Sequence, residues 1–199
     1  MKIHVFFART AKPNDPATSV ARAALLRAGW QRLHPGWPFP AAAERRTAQG
    51  RPYLPGEEFS FSLSHARSLT VLACAVQGRL GIDVAHALDA TLAAKLDASF
   101  FTPAEQQALA ENRLTALQLW MRKEAVLKAD GRGLLLDPAQ VEVLGASAQL
   151  SGQKYALFST AFLEDYEFSL ATELANGPLE PIECTEIFGN GAHHRVPLG

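Results

Sequence analysis

In the run Trp120-Met121-Arg122-Lys123-Glu124-Ala125-Val126-Leu127-Lys128, the residues Trp120, Glu124 and Lys128 are spaced i, i+4, i+8. On a helix that spacing puts an acid and a base side by side on one face. Taken alone, such a pair is an exposed salt bridge worth about 0.3–0.5 kcal/mol. Two further segments carry polar residues where packing has no need of them: Phe61-Ser62-Leu63-Ser64-His65 and Gly81-Ile82-Asp83-Val84. Asp83 closes an apolar run, where a carboxylate is costly unless it faces water or meets a cation. It could equally begin a turn at the end of a strand, and a lone histidine such as His65 is most often a surface residue.

The elements that must position these groups follow from periodicity and punctuation. Residues 3–7 read as a first strand and 15–29 as a helix whose apolar stripe is Val20, Ala23, Ala24 and Leu26. Residues 33–56 hold Pro35, Pro38, Pro40, Pro52 and Pro55 with Arg45, Arg46 and Arg51, a long irregular connection with local positive charge. Residues 59–64 alternate strictly, with Phe59, Phe61 and Leu63 on one face and three serines on the other. The apolar run 69–76, the turn Gln77-Gly78 and the run 79–84 then read as the rest of an antiparallel meander.

Leu88, Leu92 and Leu96 repeat at i+4. Thr102-Pro103-Ala104-Glu105 is a capping box with proline at the first helical position. A longer helix spans 114–129 and stops at Asp130-Gly131-Arg132-Gly133, where glycine can take the left-handed conformation of a helix end. Strands are expected at 141–144, 155–158, 166–171 and 182–188, and residues 189–199 as a frayed tail. The pattern is α+β in two comparable halves, 1–80 and 81–188.

Composition bounds the function. The 199 residues are 48% hydrophobic and 20% charged, which fits a globular protein and excludes disorder or a fibrous repeat. A formal net charge of −1 leaves no global basic field, so nucleic acid is not an expected partner. With Cys74 and Cys184 the only cysteines, a disulfide scaffold is excluded and a reducing compartment fits. No apolar stretch approaches the ~20 residues of a membrane span, and the start lacks a secretory signal, so a cytoplasmic protein with no membrane partner is expected.

Together the segments resemble the 4'-phosphopantetheinyl transferases, in particular the larger, two-half monomeric kind called Sfp-type. The resemblance rests on Ser64-His65, on residues 81–84, on Phe100-Phe101 with Glu105, and on residues 120–134, in that order and at fitting intervals. It implies two similar α+β halves in a monomer, with the active site in the cleft between them. It also implies transfer of the 4'-phosphopantetheine arm from coenzyme A to a serine of an acyl or peptidyl carrier protein, a holo-[acyl-carrier-protein] synthase reaction.

By the same resemblance Mg²⁺ is held by Asp83 and Glu124, with Glu105 as a further ligand if it is not simply a helix cap. Glu124 takes the serine proton, directly or through water, and Lys128 holds a phosphate oxygen. Arg51, Ser64 and His65 contact coenzyme A, with Arg51 and His65 aimed at its 3'-phosphate, and Asp83 and Lys128 also border it. Arg45 and Arg46 have no counterpart and read as a solvated basic loop.

One departure stands out. The family's second acidic residue, two positions after the strand aspartate, is Ala85 here. Either a water takes its place on the cation, or the chain is a catalytically impaired coenzyme A and carrier-protein binding module. His86 projects to the opposite face and cannot replace it.

Overall fold

The computed structural model describes residues 2–10, 16–56, 58–163, 165–173, 182–188 and 193–196. Among them the chain runs through β1 (His4–Arg9), α1 (Pro16–Leu33), β2 (Arg45–Arg46), β3 (Pro52–Tyr53), β4 (Ser60–Ala66), β5 (Leu69–Ala75) and β6 (Leu80–His86). It continues with α2 (Ala90–Ala93), α3 (Pro103–Ala110), α4 (Ala116–Asp130), β7 (Ser147–Leu150), β8 (Gln153–Phe162), β9 (Tyr166–Glu173), β10 (Ile182–Glu186) and β11 (His193–Val196). The fold is α+β, in two compact units: Met1–Arg79 with Ala175–Gly199, and Leu80–Leu174.

In the first unit β5 is flanked by β1 and β4, in the sheet order β11-β10-β1-β5-β4. Its apolar run is buried from end to end, as a central strand covered on both faces requires. Helix α1 packs on β1 and β5 through Ala21, Leu25, Leu26 and Trp30, a stripe at helical period. The expected stripe was rotated from this one: Leu26 belongs to it, but Val20 is 62% exposed and Ala23 faces outward. In β4 the serines do not all face solvent, because Ser62 and Ser64 are buried while Leu63 is half-buried. Both faces of that strand are covered.

In the second unit the sheet order is β6-β9-β8-β7, antiparallel throughout, and α4 packs across β6 and β9. Both longer helices of this unit start at capping boxes, Thr102 with Glu105 and Thr115 with Gln118. Helix α4 has no internal Gly or Pro and ends at Gly131, whose φ of 92° is the left-handed cap that glycine adopts without strain.

Several expectations fail for reasons of long-range pairing. The meander does not form: β6 pairs with β9, and Gln77-Gly78 leads from one unit into the other. Residues 141–144 are not a strand, and the strand nearby is β7. The leucine repeat yields only the single turn α2, with Leu88 77% exposed. Strand β10, assigned from sequence to the second half, pairs in parallel with β1. Residues 193–196, read as part of a frayed tail, are strand β11 against β10, while 189–192 and 197–199 lie outside the described residues. Among the described residues no helix is long and apolar enough to cross a membrane.

Candidate active site

The site in the second unit begins with a missing side chain. A Cβ added at Gly81 of β6 would overlap the carbonyl oxygen of Ala125 and the amide nitrogen of Ala129, and would come within 2.9 Å of the Lys128 Cβ. Glycine therefore lets β6 lie directly on the backbone of α4, the close approach for which a strand-interior glycine is the sequence signal. Gly81 was read only as part of a motif; its packing role is the functional feature that sequence reasoning missed.

This contact brings the strand acid to the helix acid and base. Lys128 Nζ donates to Asp83 Oδ1 at 2.6 Å and to the Ile82 carbonyl oxygen at 3.2 Å. The pair is partly shielded, with the Lys128 and Asp83 side chains 28% and 14% exposed. Glu124, half-buried one turn before Lys128, feels both groups. Burial holds its carboxyl above the usual carboxylate range; the Lys128 charge pulls it down and the Asp83 charge pushes it up. Asp83, Glu124 and Lys128 thus form one charge cluster. Trp120, a turn earlier on the same face, is half-buried against Phe100, ring centroids 5.2 Å apart, and is a wall of the site.

Ala85 lies two residues along β6 from Asp83, on the same face. It is 2% exposed and packs in an apolar cluster with Leu117 and Met121 of α4, against which Leu92 also rests. The position of the family's second acid is therefore filled by hydrocarbon contacts. Asp89, a remoter acid, caps α2 by accepting from the Leu92 N–H at 3.0 Å.

Glu105 does not join the cluster. Its Oε2 accepts from the Thr102 N–H at 2.8 Å and lies 2.7 Å from Lys123 Nζ, and its Oε1 accepts from the Val143 N–H at 2.9 Å. Both side chains of the ion pair are fully buried. Lys123 also donates to the carbonyl oxygens of Pro138 and Val141. Each Glu105 oxygen has a protein donor, so the metal role expected for it is corrected to a structural one: it ties α3, α4 and the 138–143 segment together.

In the first unit His65 is exposed on β4 opposite Thr70, and Ser64 is buried opposite Val71. Arg51 lines an open cavity of about 440 Å³ whose walls include Tyr53, Phe59, Ser60 and Gln77 but not His65. His65 stands five residues from Ser60, about 16 Å along an extended strand. Arg45 and Arg46 are exposed, and their guanidinium groups donate to backbone carbonyls of Ala42, Glu44 and Gly50.

Among the described residues no three or more His, Cys, Asp or Glu side chains cluster as a ready-made metal site. The donor set that is present, two adjoining carboxylates, suits a hard cation such as Mg²⁺, which takes one or two carboxylates and fills its shell with water and substrate phosphate oxygens.

Comparison with known proteins bears on this region. Residues 79–176 match the family model of the 4'-phosphopantetheinyl transferase superfamily. A Synechocystis sp. protein provisionally named 4'-phosphopantetheinyl transferase slr0495 is 34% identical over 94 residues. That stretch covers 43% of this chain and 38% of the relative, well under two thirds of its length. The stretch 79–176, which carries Gly81, Asp83, Glu124 and Lys128, is thus a domain of the 4'-phosphopantetheinyl transferase superfamily.

Proposed function

We propose that the protein transfers the 4'-phosphopantetheine arm of coenzyme A to a serine of an acyl or peptidyl carrier protein, in a Mg²⁺-dependent reaction of the holo-[acyl-carrier-protein] synthase type. The observation that supports it most is the cluster of Asp83, Glu124 and Lys128 on β6 and α4 of the superfamily domain.

Asp83 and Glu124 hold the cation, which when bound neutralises charge on the diphosphate of coenzyme A. Glu124 accepts the proton of the carrier serine, directly or through one water, and its burial suits the task because a desolvated carboxylate holds a proton more tightly. The serine oxygen forms a bond to the phosphorus that carries the pantetheine. The bond from that phosphorus to the bridging oxygen of the diphosphate breaks, and adenosine 3',5'-bisphosphate leaves with the electron pair. Lys128 holds a phosphate oxygen of the bound diphosphate, where charge builds during transfer. Arg51 and the exposed His65 bind the 3'-phosphate of coenzyme A, and Ser64 contacts the cofactor beside His65. The protein acts as a cytoplasmic monomer.

Ala85 favours a second reading. A cation with only two carboxylates and an apolar neighbour is weakly held, and a relative that binds coenzyme A or a carrier without catalysis is the alternative. Incubation with coenzyme A, Mg²⁺ and an apo carrier protein, followed by mass spectrometry of the carrier, separates the two. An added phosphopantetheine mass on the carrier serine supports the transferase. An unmodified carrier in the presence of bound coenzyme A supports the binding module.

A further inference from the structure

We infer that Lys128 keeps the Asp83 carboxylate closed to a free divalent cation, so that the cation enters this site only together with the diphosphate that draws the lysine away. The inference rests on the transferase reading of the site and specifies the order in which it fills. The Lys128 ammonium already occupies the near side of Asp83, 2.6 Å from Oδ1, and a second bond to the Ile82 carbonyl oxygen at 3.2 Å fixes it over β6. Both contacts are made to one strand, which Gly81 seats directly on the helix that carries the lysine. The ammonium is therefore held at short range and has little freedom to leave unless another anion offers to pair with it.

A bare Mg²⁺ is poorly matched to the free protein. It needs near-octahedral oxygen coordination. Here it meets two carboxylates, a fixed positive charge on one of them, and the hydrocarbon of Ala85, Leu117 and Met121 where a third acid would stand. A diphosphate changes both sides of that balance. Its oxygens complete the cation's shell, and they give Lys128 an anionic partner in exchange for Asp83. One cation replaces another on the carboxylate, and no buried charge is left unpaired at any stage. Lys128 thus selects the cation–diphosphate complex over the free cation, a role additional to holding phosphate.

The test reads cation binding, not turnover. Mn²⁺ is titrated into the full-length protein without coenzyme A, and bound metal is followed by electron paramagnetic resonance. Weak binding is expected for the wild type, tightened when coenzyme A is added. Lys128→Met should bind Mn²⁺ alone about tenfold more tightly or better. In an Asp83→Asn background the same substitution should bring a clearly smaller gain in Mn²⁺ affinity, because the carboxylate that the lysine covers is gone and only its charge on Glu124 is removed. Thermal melts establish that each variant is folded, and Lys128→Gln replaces Lys128→Met if the latter is not. Unchanged Mn²⁺ affinity in Lys128→Met overturns the inference, and so does an equal gain in the Asp83→Asn background, which would mean a general charge effect. Failure of the wild type to modify any apo carrier overturns the transferase reading instead, independently of the Mn²⁺ titrations.

Discussion

Glu124 is the residue whose chemistry and stability pull in opposite directions. Burial makes its ionised form expensive; the Lys128 charge offsets part of that cost, and a smaller repulsion from Asp83 adds to it. Glu124→Gln keeps the shape and removes the charge. Transfer should fall by about 10²-fold or more, while the melting temperature at neutral pH stays level or rises. A folded variant that retains near-normal turnover removes Glu124 from the role of base.

Glu105 is its converse. Replacing it by Gln leaves Lys123 as a buried cation without its counter-ion, which costs about 3–5 kcal/mol when one partner of such a pair is lost. The Mg²⁺ concentration for half-maximal activity should be unchanged in the fraction that folds, and a raised requirement would return Glu105 to the metal. At this scale the gathering of Asp83, Glu124 and Lys128 into one cluster was legible, since their types, spacing and neighbours point to one place. Glu105 was not, because a helix cap and a ligand call for the same residue at the same place. Only the buried Lys123 and the Val143 N–H decide between them.

Among the elements, β6 and α4 define the site, and their distance is set by one hydrogen atom at Gly81. Gly81→Ala must push the strand away from the carbonyl of Ala125 and the amide of Ala129, backbone atoms that do not yield as a flexible side chain would. Overpacking of this kind costs about 1–3 kcal/mol or more. The same displacement lengthens the 2.6 Å contact between Lys128 and Asp83, so turnover should drop in the molecules that remain folded. Thermal melts and transfer rates on one preparation check both effects, and a variant with wild-type values in each would show that the approach is not tight.

Two helix boundaries were readable because caps are local, the start at Thr102 with Glu105 and the stop at Gly131, whereas the Thr115 cap and the end of α1 at Leu33 were not. Strand partners were not. The turn at Gln77-Gly78 looks the same whether β6 folds back on β5 or leaves for β9, and only the packing of Gly81 on α4 distinguishes the two. Residues 141–144 have the composition of a strand, yet in this segment the Val141 carbonyl is bonded by Lys123 and the Val143 N–H by Glu105, in place of a sheet ladder.

At the scale of the whole chain, the first unit is built from both ends of the sequence, since β10 returns to pair with β1. This pairing could not be read locally: about a hundred residues of another unit intervene, and parallel partners need no turn between them. A charge cluster marks the junction. Glu183 of β10 stands opposite His4 in register. It accepts from Arg32 of α1 at 3.0 Å and lies 3.4 Å from both Lys2 and the His4 ring. The Arg32 guanidinium foremost, then Lys2 and His4, hold its carboxyl below the usual carboxylate range.

A lowered value in the folded state means that the folded chain binds this proton less readily than the unfolded one. The stabilisation is therefore present above the ordinary glutamate value of about 4.3 and is lost as pH falls through the lower folded value. Because the side chain is 31% exposed, screening limits the effect to about 1 kcal/mol or less. Glu183→Gln should thus melt a few degrees below the wild type at pH 7, by about 2–4 °C if the full 1 kcal/mol is realised. The two should converge as pH drops below about 4. A gap that stays constant across that range would mean that β10 is held to β1 by its backbone ladder and apolar residues alone, with the charges of Lys2, His4 and Arg32 contributing nothing to closing the chain.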